Sequence, residues 1–345
     1  MARTVALVGA LHPAARGLAL RLEDDPSVER VLGISAQEPP LLGPKFEFVR
    51  AAPGTERFAD AIAEADTVVL FPQVEEGERD PSLAREVAEL TLRAATGAST
   101  LVLWSSGVVY GAHPHNPVPI QESQPPRPND DFAPAGVLAD IERAVLDGGQ
   151  DSGRTVTVLR AGAVWAPSWG TFLGRAMQAP ALVGVRGYDP PLQALDPEDA
   201  TDALVLAIGG GLPGTYNVAP ADWVPVRDAA RSAGRRRLQL PEPLAFTTAE
   251  RLRRLGISPA TPGELHYHMH PWVLDSSRLR AAGWAPRSGT AEAFAAAARM
   301  PSGGVAVGGV RVRRSDIYKG AAAGVAMIAT LALVRRQARR GSPRS

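Results

Sequence analysis

The stretch "TVALVGALHPAARGLALRLEDDPSVERVLGIS", residues 4–35, predicts the fold class of this chain. An apolar run ends at Gly9, a segment with helical spacing follows, and a second apolar run ends at Ser35. Short apolar runs bounded by turn residues predict buried strands, and the amphipathic segment between them predicts a helix. The unit therefore predicts two parallel strands joined by a crossover helix.

The same alternation continues to about residue 160. Further strands are predicted in "FEFVRA", "DTVVLF", "STLVLWSS" and "TVTVLRAG", and helices in "TERFADAIAEA", in "PSLAREVAELTLRAATGA" and over about 135–146. This order predicts an α/β fold with a Rossmann-like, doubly wound parallel sheet. We expect a first domain over 1–160, a smaller interleaved substrate region over 161–300, and a linker with a tail over 301–345. The run "GGVAVGGV", 303–310, is predicted to be a flexible linker.

Composition and charge limit the classes of function. The chain has 345 residues, 45% of them hydrophobic, and a mean hydropathy of −0.06, which is typical of a globular protein. Its lack of cysteine excludes disulfides, thiolate catalysis and cysteine zinc sites, and weakly favours the cytoplasm. Residues 311–345 carry nine basic side chains against one acidic one, a charge of +8, so the whole-chain charge of +1 leaves −7 for the remainder. An acidic body predicts no nucleic-acid partner.

The C-terminal tail leaves two interpretations open. Residues 320–334 form a run of fifteen uncharged residues, which as a helix is about 22 Å long. That length is less than the roughly 30 Å of a bilayer core, although flanking lysine and arginine side chains can extend a short span. The tail over 318–340 is expected either to contact an anionic membrane surface or to dock as a helix on the body or on a partner.

Five motifs in order resemble the extended short-chain dehydrogenase/reductase family, the NAD-dependent epimerase/dehydratase group. They are "LVLWSSGVVYG" (101–111), "VTVLRAGAVWAP" (156–167), "PLQALDPEDATDALVLAI" (191–208), "GTYNVA" (214–219) and "VLDSSRLRAAGWAPR" (273–287). The resemblance implies NAD or NADP as cofactor, a nucleotide-sugar-like ligand, and a homodimer paired through helices of the first domain.

The resemblance also implies where proton transfer should take place. Active members use a serine or threonine, a tyrosine, and a lysine four residues after the tyrosine, which lowers the pKa of the phenol. Ser106 is retained, with hydrogen bonding at a strand end as the alternative explanation of its presence. Matching "FAPAGVLADIE" to the family's F-A-Y-x-x-x-K-x-x-x-E places Pro134 at the tyrosine and Leu138 at the lysine. Because no tyrosine of the chain has a lysine four residues later, the usual pair is absent.

The cofactor motif departs from the family in the same way. The glycine-rich turn reads "GALHPAA", which keeps Gly9 but places His12 and Ala15 where later glycines are expected. Ser35 stands where an acid would hold the ribose. Three further positions depart from the small or acidic residues expected around the cofactor, namely Ala52, Phe71 and Pro72. These substitutions predict a cofactor site that is weak, altered or lost.

Two arginines match positions of the family. Either Arg160 or Arg278 is a candidate for binding a nucleotide diphosphate, with structural ion pairing as an equal alternative. Asp140 and Glu142 follow the missing lysine on a helix and are expected to face solvent.

Histidines supply the remaining candidates. In an extended conformation "HYHMHP" would project His266, His268 and His270 from one side, an arrangement that can bind zinc, but surface histidines are the expected interpretation and we predict no metal site. His113 and His115, on a loop near the expected substrate mouth, are candidate substitutes for the lost acid or base.

The sequence therefore favours a catalytically degenerate member of this family that binds a ligand or a partner. The rival hypothesis is an active NAD(P)-dependent oxidoreductase or epimerase that uses Ser106, Tyr110 or a loop histidine. A third hypothesis, a membrane-tethered scaffold, depends on the tail alone.

Overall fold

The computed structural model describes residues 3–37, 43–72, 74, 81–178, 181–255 and 260–300, and the backbone of 304–307 and 310–313. The strands are β1 (Arg3–Val8), β2 (Val28–Ser35), β3 (Phe46–Arg50), β4 (Thr67–Leu70), β5 (Thr100–Ser106), β6 (Thr155–Ala161), β7 (Ala181–Val185), β8 (Pro191–Leu192), β9 (Gly214–Val218), β10 (Val224–Pro225), β11 (Arg236–Leu240), β12 (Gly304–Val307) and β13 (Val310–Arg313). The α-helices are α1 (Pro13–Glu23), α2 (Glu56–Ala63), α3 (Pro81–Ala94), α4 (Ala133–Ser152), α5 (Phe172–Gln178), α6 (Pro197–Ile208), α7 (Val226–Ser232), α8 (Glu242–Arg254), α9 (Ser277–Ala281) and α10 (Thr290–Arg299). Short 3-10 helices span Gly107–Tyr110, Pro167–Trp169 and Pro262–His268.

A seven-stranded parallel sheet organises the described residues, in the order β3-β2-β1-β4-β5-β6-β9. Its inner strands are near-continuous apolar runs, and every residue of β4 is buried, because helices cover both faces. The predicted Rossmann-like α/β fold is confirmed. The predicted interleaving is visible in β9, which comes from beyond residue 161 yet completes the sheet beside β6.

Each face of the sheet has its own apolar core. On one face, α1 packs against α6, with Leu18 and Leu204 both fully buried. On the other face, α2, α3 and α4 pack in sequence, and Phe58 and Ile141 lie in that core. The strand order reverses between β1 and β4, and in open parallel sheets the crevice beyond the carboxyl ends at such a point is where ligands bind. The fold therefore positions a candidate site beyond Val8 and Leu70.

Two local predictions need correction. The run over 303–310, predicted to be a linker, contributes to an antiparallel hairpin of β12 and β13 in which Val305 pairs with Val312. Alternate valines along both segments favour strands, a signal that the flanking glycines obscured. Helix α4 is longer than the predicted 135–146, since it spans Ala133–Ser152, and it is followed by Gly153, whose φ of 67° suits a left-handed cap.

The predicted membrane tail lies outside the described residues. Within the part of the chain that the structure describes, no helix combines the length and the apolar character needed to cross a bilayer. The three-part division of the chain stays a prediction.

Candidate functional site

A cavity of about 60 Å³ lies beyond the carboxyl ends of the central strands, where the family resemblance places chemistry. Ser106, Leu138, His12 and two tryptophans, Trp104 and Trp169, are among the residues that line it. Ser106 ends β5, and its Oγ accepts a hydrogen bond from the backbone N–H of Val108 at 3.4 Å. The hydroxyl thus caps the 3-10 helix that follows the strand.

The two positions of the missing proton-transfer pair lie on the first turns of α4. Pro134 is tolerated there because first-turn N–H groups have no partner within the helix. Leu138 is 2% exposed and faces the cavity. The structure therefore brings Ser106 and Leu138 together and offers an alkyl side chain where an ammonium group would be needed.

A buried polar network lies directly behind Ser106. Glu142 accepts hydrogen bonds from Ser105 Oγ at 2.5 Å, from Arg160 Nε at 3.0 Å and from Arg160 Nη2 at 2.6 Å. Arg160 Nη1 donates to the Tyr110 hydroxyl at 2.8 Å, and that hydroxyl donates to Asn217 Oδ1 at 2.9 Å. The network ties together β5, α4, β6 and β9.

The network corrects the prediction that Glu142 faces solvent, since Glu142 is 1% and Arg160 4% exposed. Asp140, on the opposite face of α4, does lie near the surface beside Arg85 and Arg143. The contacts of Arg160 are those of a structural ion pair, so the position of this side chain can be explained without a bound ligand. Burial lowers the pKa of Arg160, but the charge of Glu142 and the hydrogen bonds to it outweigh burial and hold the pKa above its usual range.

Tyr110 is equally committed to the network. Its hydroxyl is buried, and burial raises the pKa of the phenol although the nearby Arg160 lowers it in part. The arginine also stacks on the Tyr110 ring at 4.7 Å from the centroid. A phenol with a raised pKa and both hydrogen bonds in use is a poor proton donor or acceptor for a ligand.

Arg278 is not brought together with Ser106. Its guanidinium donates to the carbonyls of Thr215 at 2.8 Å and Pro213 at 3.3 Å and stacks on Tyr216. These contacts lie at the amino end of β9. Ser106 is the last residue of β5 and therefore lies at the carboxyl ends of the parallel strands.

His12 occupies the start of α1. Its Nδ1 accepts a hydrogen bond from the backbone N–H of Ala14 at 3.1 Å, so the side chain caps the helix and the neutral ring carries its proton on Nε2. The imidazole stacks on Phe71 at 5.5 Å and meets the edge of Trp169 at 5.8 Å. Loss of solvation lowers the pKa of His12 from 6.5 to about 4, which keeps the ring neutral at pH 7.

A second void, an apolar cleft of about 220 Å³, lies on the other side of Phe71. It is lined by residues that follow β1, β2, β3 and β4 and by side chains of α2 and α3. Gly9 turns the chain there with a φ of 86°, and a Cβ on it would collide with the carbonyl oxygen of Phe71. Ser35 ends β2 at the rim, with its hydroxyl bonded to the carbonyl of Gln37.

Two of the backbone donors that the pyrophosphate of a dinucleotide would use are missing or already bonded at the start of α1. Such a group needs free N–H donors at the start of the helix that follows the first strand. Here Pro13 has no N–H, and the N–H of Ala14 is already bonded to His12. Ala15 is a buried core residue of the first turn, and Ser35 offers no carboxylate for a ribose. Only Gly9 meets the requirement of a tight turn.

The histidine-rich segment is helical rather than extended. A 3-10 helix spans Pro262–His268, and the backbone N–H of His270 bonds to the carbonyl of His266 just beyond it. The His266 and His270 rings stack at 6.3 Å, while His268 meets Phe172. His266 also contacts the Asp131 carboxylate at 3.1 Å. Among the described residues no group of histidine and carboxylate side chains is arranged to hold a metal ion.

The loop histidines make ordinary surface contacts. His113 bonds through Nε2 to the carbonyl of Arg127 at 2.8 Å, and His115 is exposed. Neither is among the residues that line the cavity beside Ser106.

Proteins of known sequence include relatives that cover most of this chain. An uncharacterized protein of Mycobacterium tuberculosis strain H37Rv is 30% identical over 314 residues, which cover 85% of this chain and 82% of the relative, and an uncharacterized protein of Mycobacterium bovis matches to the same extent. The chain belongs to the family of these mycobacterial proteins. No general family model matches it.

Solved structures confirm the fold of the extended short-chain dehydrogenases/reductases. The UDP-glucose 4-epimerase of Thermus thermophilus, solved with NAD, aligns with a TM-score of 0.64 at 21% identity over 86% of this chain and 97% of the epimerase. The UDP-glucuronic acid 4-epimerase of Bacillus cereus, solved with UDP-glucuronic acid and NAD, aligns with a TM-score of 0.65 at 14% identity over 86% of this chain and 98% of that protein. At these identities the likeness concerns the fold of the extended short-chain dehydrogenases/reductases and not the activity.

The residues predicted from the sequence do not include Asn217 and Trp169, which are parts of the site. Asn217 had a weak signal, because it is a buried polar residue within the quoted motif "GTYNVA". Trp169 had none, since its contact with His12 joins residues far apart in the chain.

Proposed function

We propose that this chain is a non-catalytic member of the extended short-chain dehydrogenase/reductase fold that acts by binding a ligand or a partner. The observation that carries the proposal is the pairing of Ser106 with Leu138 in the cavity. Among the described residues that line it, His12 is the one titratable side chain, and that ring is neutral and already caps α1. A lone serine without a base is a weak nucleophile and a poor acid.

The size of the cavity supports the same conclusion. A cavity of about 150 Å³ accepts one benzene ring. The void beside Ser106, at about 60 Å³, is less than half that size, so a nicotinamide or sugar ring would not be enclosed within it. Trp104 and Trp169, which meet edge to face at 6.1 Å, fill part of this space.

NAD is the cofactor that the structural neighbours carry, and NAD or NADP is what the fold implies for this chain. The cap made by His12 and the missing acid at Ser35 both oppose tight binding of a dinucleotide. A nucleotide-sugar-like ligand stays the proposed alternative occupant, bound without chemistry. We assign no reaction step to the cofactor.

The alternative function is an active NAD(P)-dependent oxidoreductase or epimerase on a nucleotide sugar. The retention of Ser106 in the cavity is the observation that favours it. The commitments of Tyr110 and His113 to other hydrogen bonds argue against either as the substitute acid or base.

A turnover assay separates the two functions. Purified full-length chain is incubated with NAD and either UDP-glucose or UDP-glucuronic acid, and products are followed by chromatography and NADH absorbance. We expect no turnover above that of the Ser106→Ala variant. Turnover by the unaltered chain that Ser106→Ala abolishes would overturn the proposal and establish the enzyme.

The proposals for partners and location rest on the sequence alone. We propose a cytoplasmic body, a homodimer through first-domain helices, and a tail over 318–340 that either contacts a membrane surface or docks as a helix on the body or on a partner. Fractionating cells that express the chain with and without residues 315–345 tests the tail, and an identical distribution of both forms would exclude anchoring. Sedimentation of the purified chain tests the dimer.

A further inference from the structure

Strand β11 is an edge strand. In the described part of the chain it pairs only with β7, in parallel, and the backbone N–H of Arg186 donates to the carbonyl of Leu240 at 2.8 Å. Successive residues of a strand point their backbone groups to opposite edges, so Leu238 and Leu240 bond toward β7. Arg237 and Gln239 present their backbone N–H and C=O groups to the outer edge, and no described residue bonds to those groups.

The outer edge of β9, in the seven-stranded sheet, is closed by side chains instead. Glu122 accepts a hydrogen bond from the backbone N–H of Asn217 at 2.9 Å, and Arg278 donates to the carbonyl of Thr215 at 2.8 Å. Exposed strand edges pair readily with further strands, and natural sheets commonly protect them. Because β11 has no such cover among the residues that the structure describes, its edge can accept a further strand.

The β7 and β11 pair also leaves half of one face uncovered. Val183 and Leu238 are direct partners on that face, and each is 41% exposed. Toward the carboxyl ends of the same face, Val185 and Leu240 are buried in one cluster with Ala245 of α8. Parallel strands normally have both faces covered. The amino-terminal half of this face therefore lacks the apolar cover that α8 gives to the other half.

A second copy of β11 would match the outer edge in hydrogen bonding and in charge. In an antiparallel pair centred on Leu238, Arg237 lies opposite Gln239 of the second copy, and these are the residues whose backbone groups face outward. The two copies of Leu238 meet on the uncovered face, at a position where facing side chains are closest. Arg236 lies opposite Leu240, so no arginine faces another arginine.

We propose that two copies of this chain associate through β11, which joins the two β7 and β11 pairs into one four-stranded sheet around a two-fold axis. Antiparallel pairing places the uncovered half of each face beside the half that α8 of the other copy covers. This inference goes beyond the proposed function, does not depend on it, and concerns a surface other than the first-domain helices. Since the contact is small, we expect a dissociation constant on the order of 10 μM.

The first arm of the test measures association by sedimentation velocity of the full-length chain from about 1 to about 200 μM. Leu238→Glu should weaken the association at least about tenfold, because two carboxylates would then lie directly opposite each other. Leu20→Glu is the matched control, since Leu20 is 47% exposed on α1, and it should leave the association unchanged. Both side chains are exposed, and circular dichroism confirms that each variant is folded.

The second arm tests the register by cysteine cross-linking, since the chain has no cysteine of its own. Diamide oxidation should convert Leu238→Cys into a covalent dimer, because the facing Cα atoms of such a pair are about 4.5 Å apart, within the range of a disulfide. Gln239→Cys is the control within the same strand. Its thiol would lie opposite Arg237 and not opposite another thiol, so its dimer should form at least about tenfold more slowly.

Three results would overturn the inference. The first is an unaltered chain that does not associate up to about 200 μM. The second is an association that Leu238→Glu leaves unchanged or that Leu20→Glu weakens equally, which would assign the contact to another surface such as the first-domain helices. The third is cross-linking at position 239 that is as fast as at position 238.

Discussion

Replacing Glu142 with glutamine should destabilise the fold more than any surface charge substitution. The side chain keeps its size and its acceptor for Ser105, but Arg160 loses a carboxylate that it contacts through Nε and Nη2. With exposed fractions of 2% for the Glu142 side chain and 5% for that of Arg160, neither group regains water in the folded state. Removing one partner of a buried ion pair costs about 3–5 kcal/mol because the other charge stays buried without compensation.

Urea unfolding followed by tryptophan fluorescence measures this cost as a shift of the midpoint multiplied by the slope of the transition. Asp140→Asn is the matched control on the same helix, because the Asp140 side chain is 35% exposed and pairs with arginines that are 54% and 71% exposed. Exposed pairs of this kind contribute about 0–1 kcal/mol. Both substitutions remove one negative charge, so the difference between their effects on the free energy of unfolding reports the contribution of burial.

A double-mutant cycle gives the interaction energy itself. Arg160→Met alone leaves Glu142 buried and charged, whereas Glu142→Gln with Arg160→Met leaves no buried charge. We expect the double variant to be more stable than the sum of the single effects by about 1–3 kcal/mol. A cost below about 1 kcal/mol for Glu142→Gln, or simple additivity in the cycle, would refute a buried charge pair that stabilises this region.

Three further predictions use the same unfolding assay. Tyr110→Phe should cost about 1–3 kcal/mol, because it leaves two buried hydrogen-bonding partners of the hydroxyl unsatisfied; a neutral effect would mean that water replaces the hydroxyl. Gly9→Ala should cost more than Gly153→Ala, since both have positive φ, but only at Gly9 would the new Cβ meet the carbonyl of Phe71; equal costs would contradict that close approach. His12 titrates near 4 when folded and near 6.5 when unfolded, so its contribution is complete above about pH 6.5 and declines as the pH falls toward 4. The expected loss is about 1–3 kcal/mol, and His12→Asn should flatten this part of the pH profile.

Local patterns predicted the sheet well because its determinants are local. Each inner strand is an apolar run, and the crossover rules leave few ways to connect such strands through helices. The position of β9 in the sheet was harder to predict. Its five residues, Gly214–Val218, pair with β6, which ends much earlier in the chain, at Ala161. The predicted interleaving of residues 161–300 with the sheet did not specify which segment joins it.

The error at Glu142 has a physical reason and an available signal. Glutamate is rarely fully buried, so exposure was the natural expectation for a residue of this type on a helix. Yet Leu138, Ile141 and Val145 have helical spacing, and Glu142 lies among them on the buried face. A charge on the apolar face of a helix requires a buried partner, and Arg160 on the buried strand β6 was the available one.

Only part of the structural role of His12 could be predicted from the sequence. Steric reasoning indicated an obstruction at the closest-approach position, but the sequence does not show that positions 12, 71 and 169 meet in space. The contacts of His12 with Phe71 and Trp169 affect the stability of the fold as well as the shape of the site. A capping side chain stabilises a helix by only about a few tenths of a kcal/mol relative to glycine, and an aromatic contact contributes about 0.5–1.5 kcal/mol, so His12 stabilises the fold chiefly through its ring contacts with Phe71 and Trp169. Because the same ring lines the cavity beside Ser106 and caps α1, a substitution that removes the ring should also weaken the fold, as is common where stability and ligand access depend on one residue.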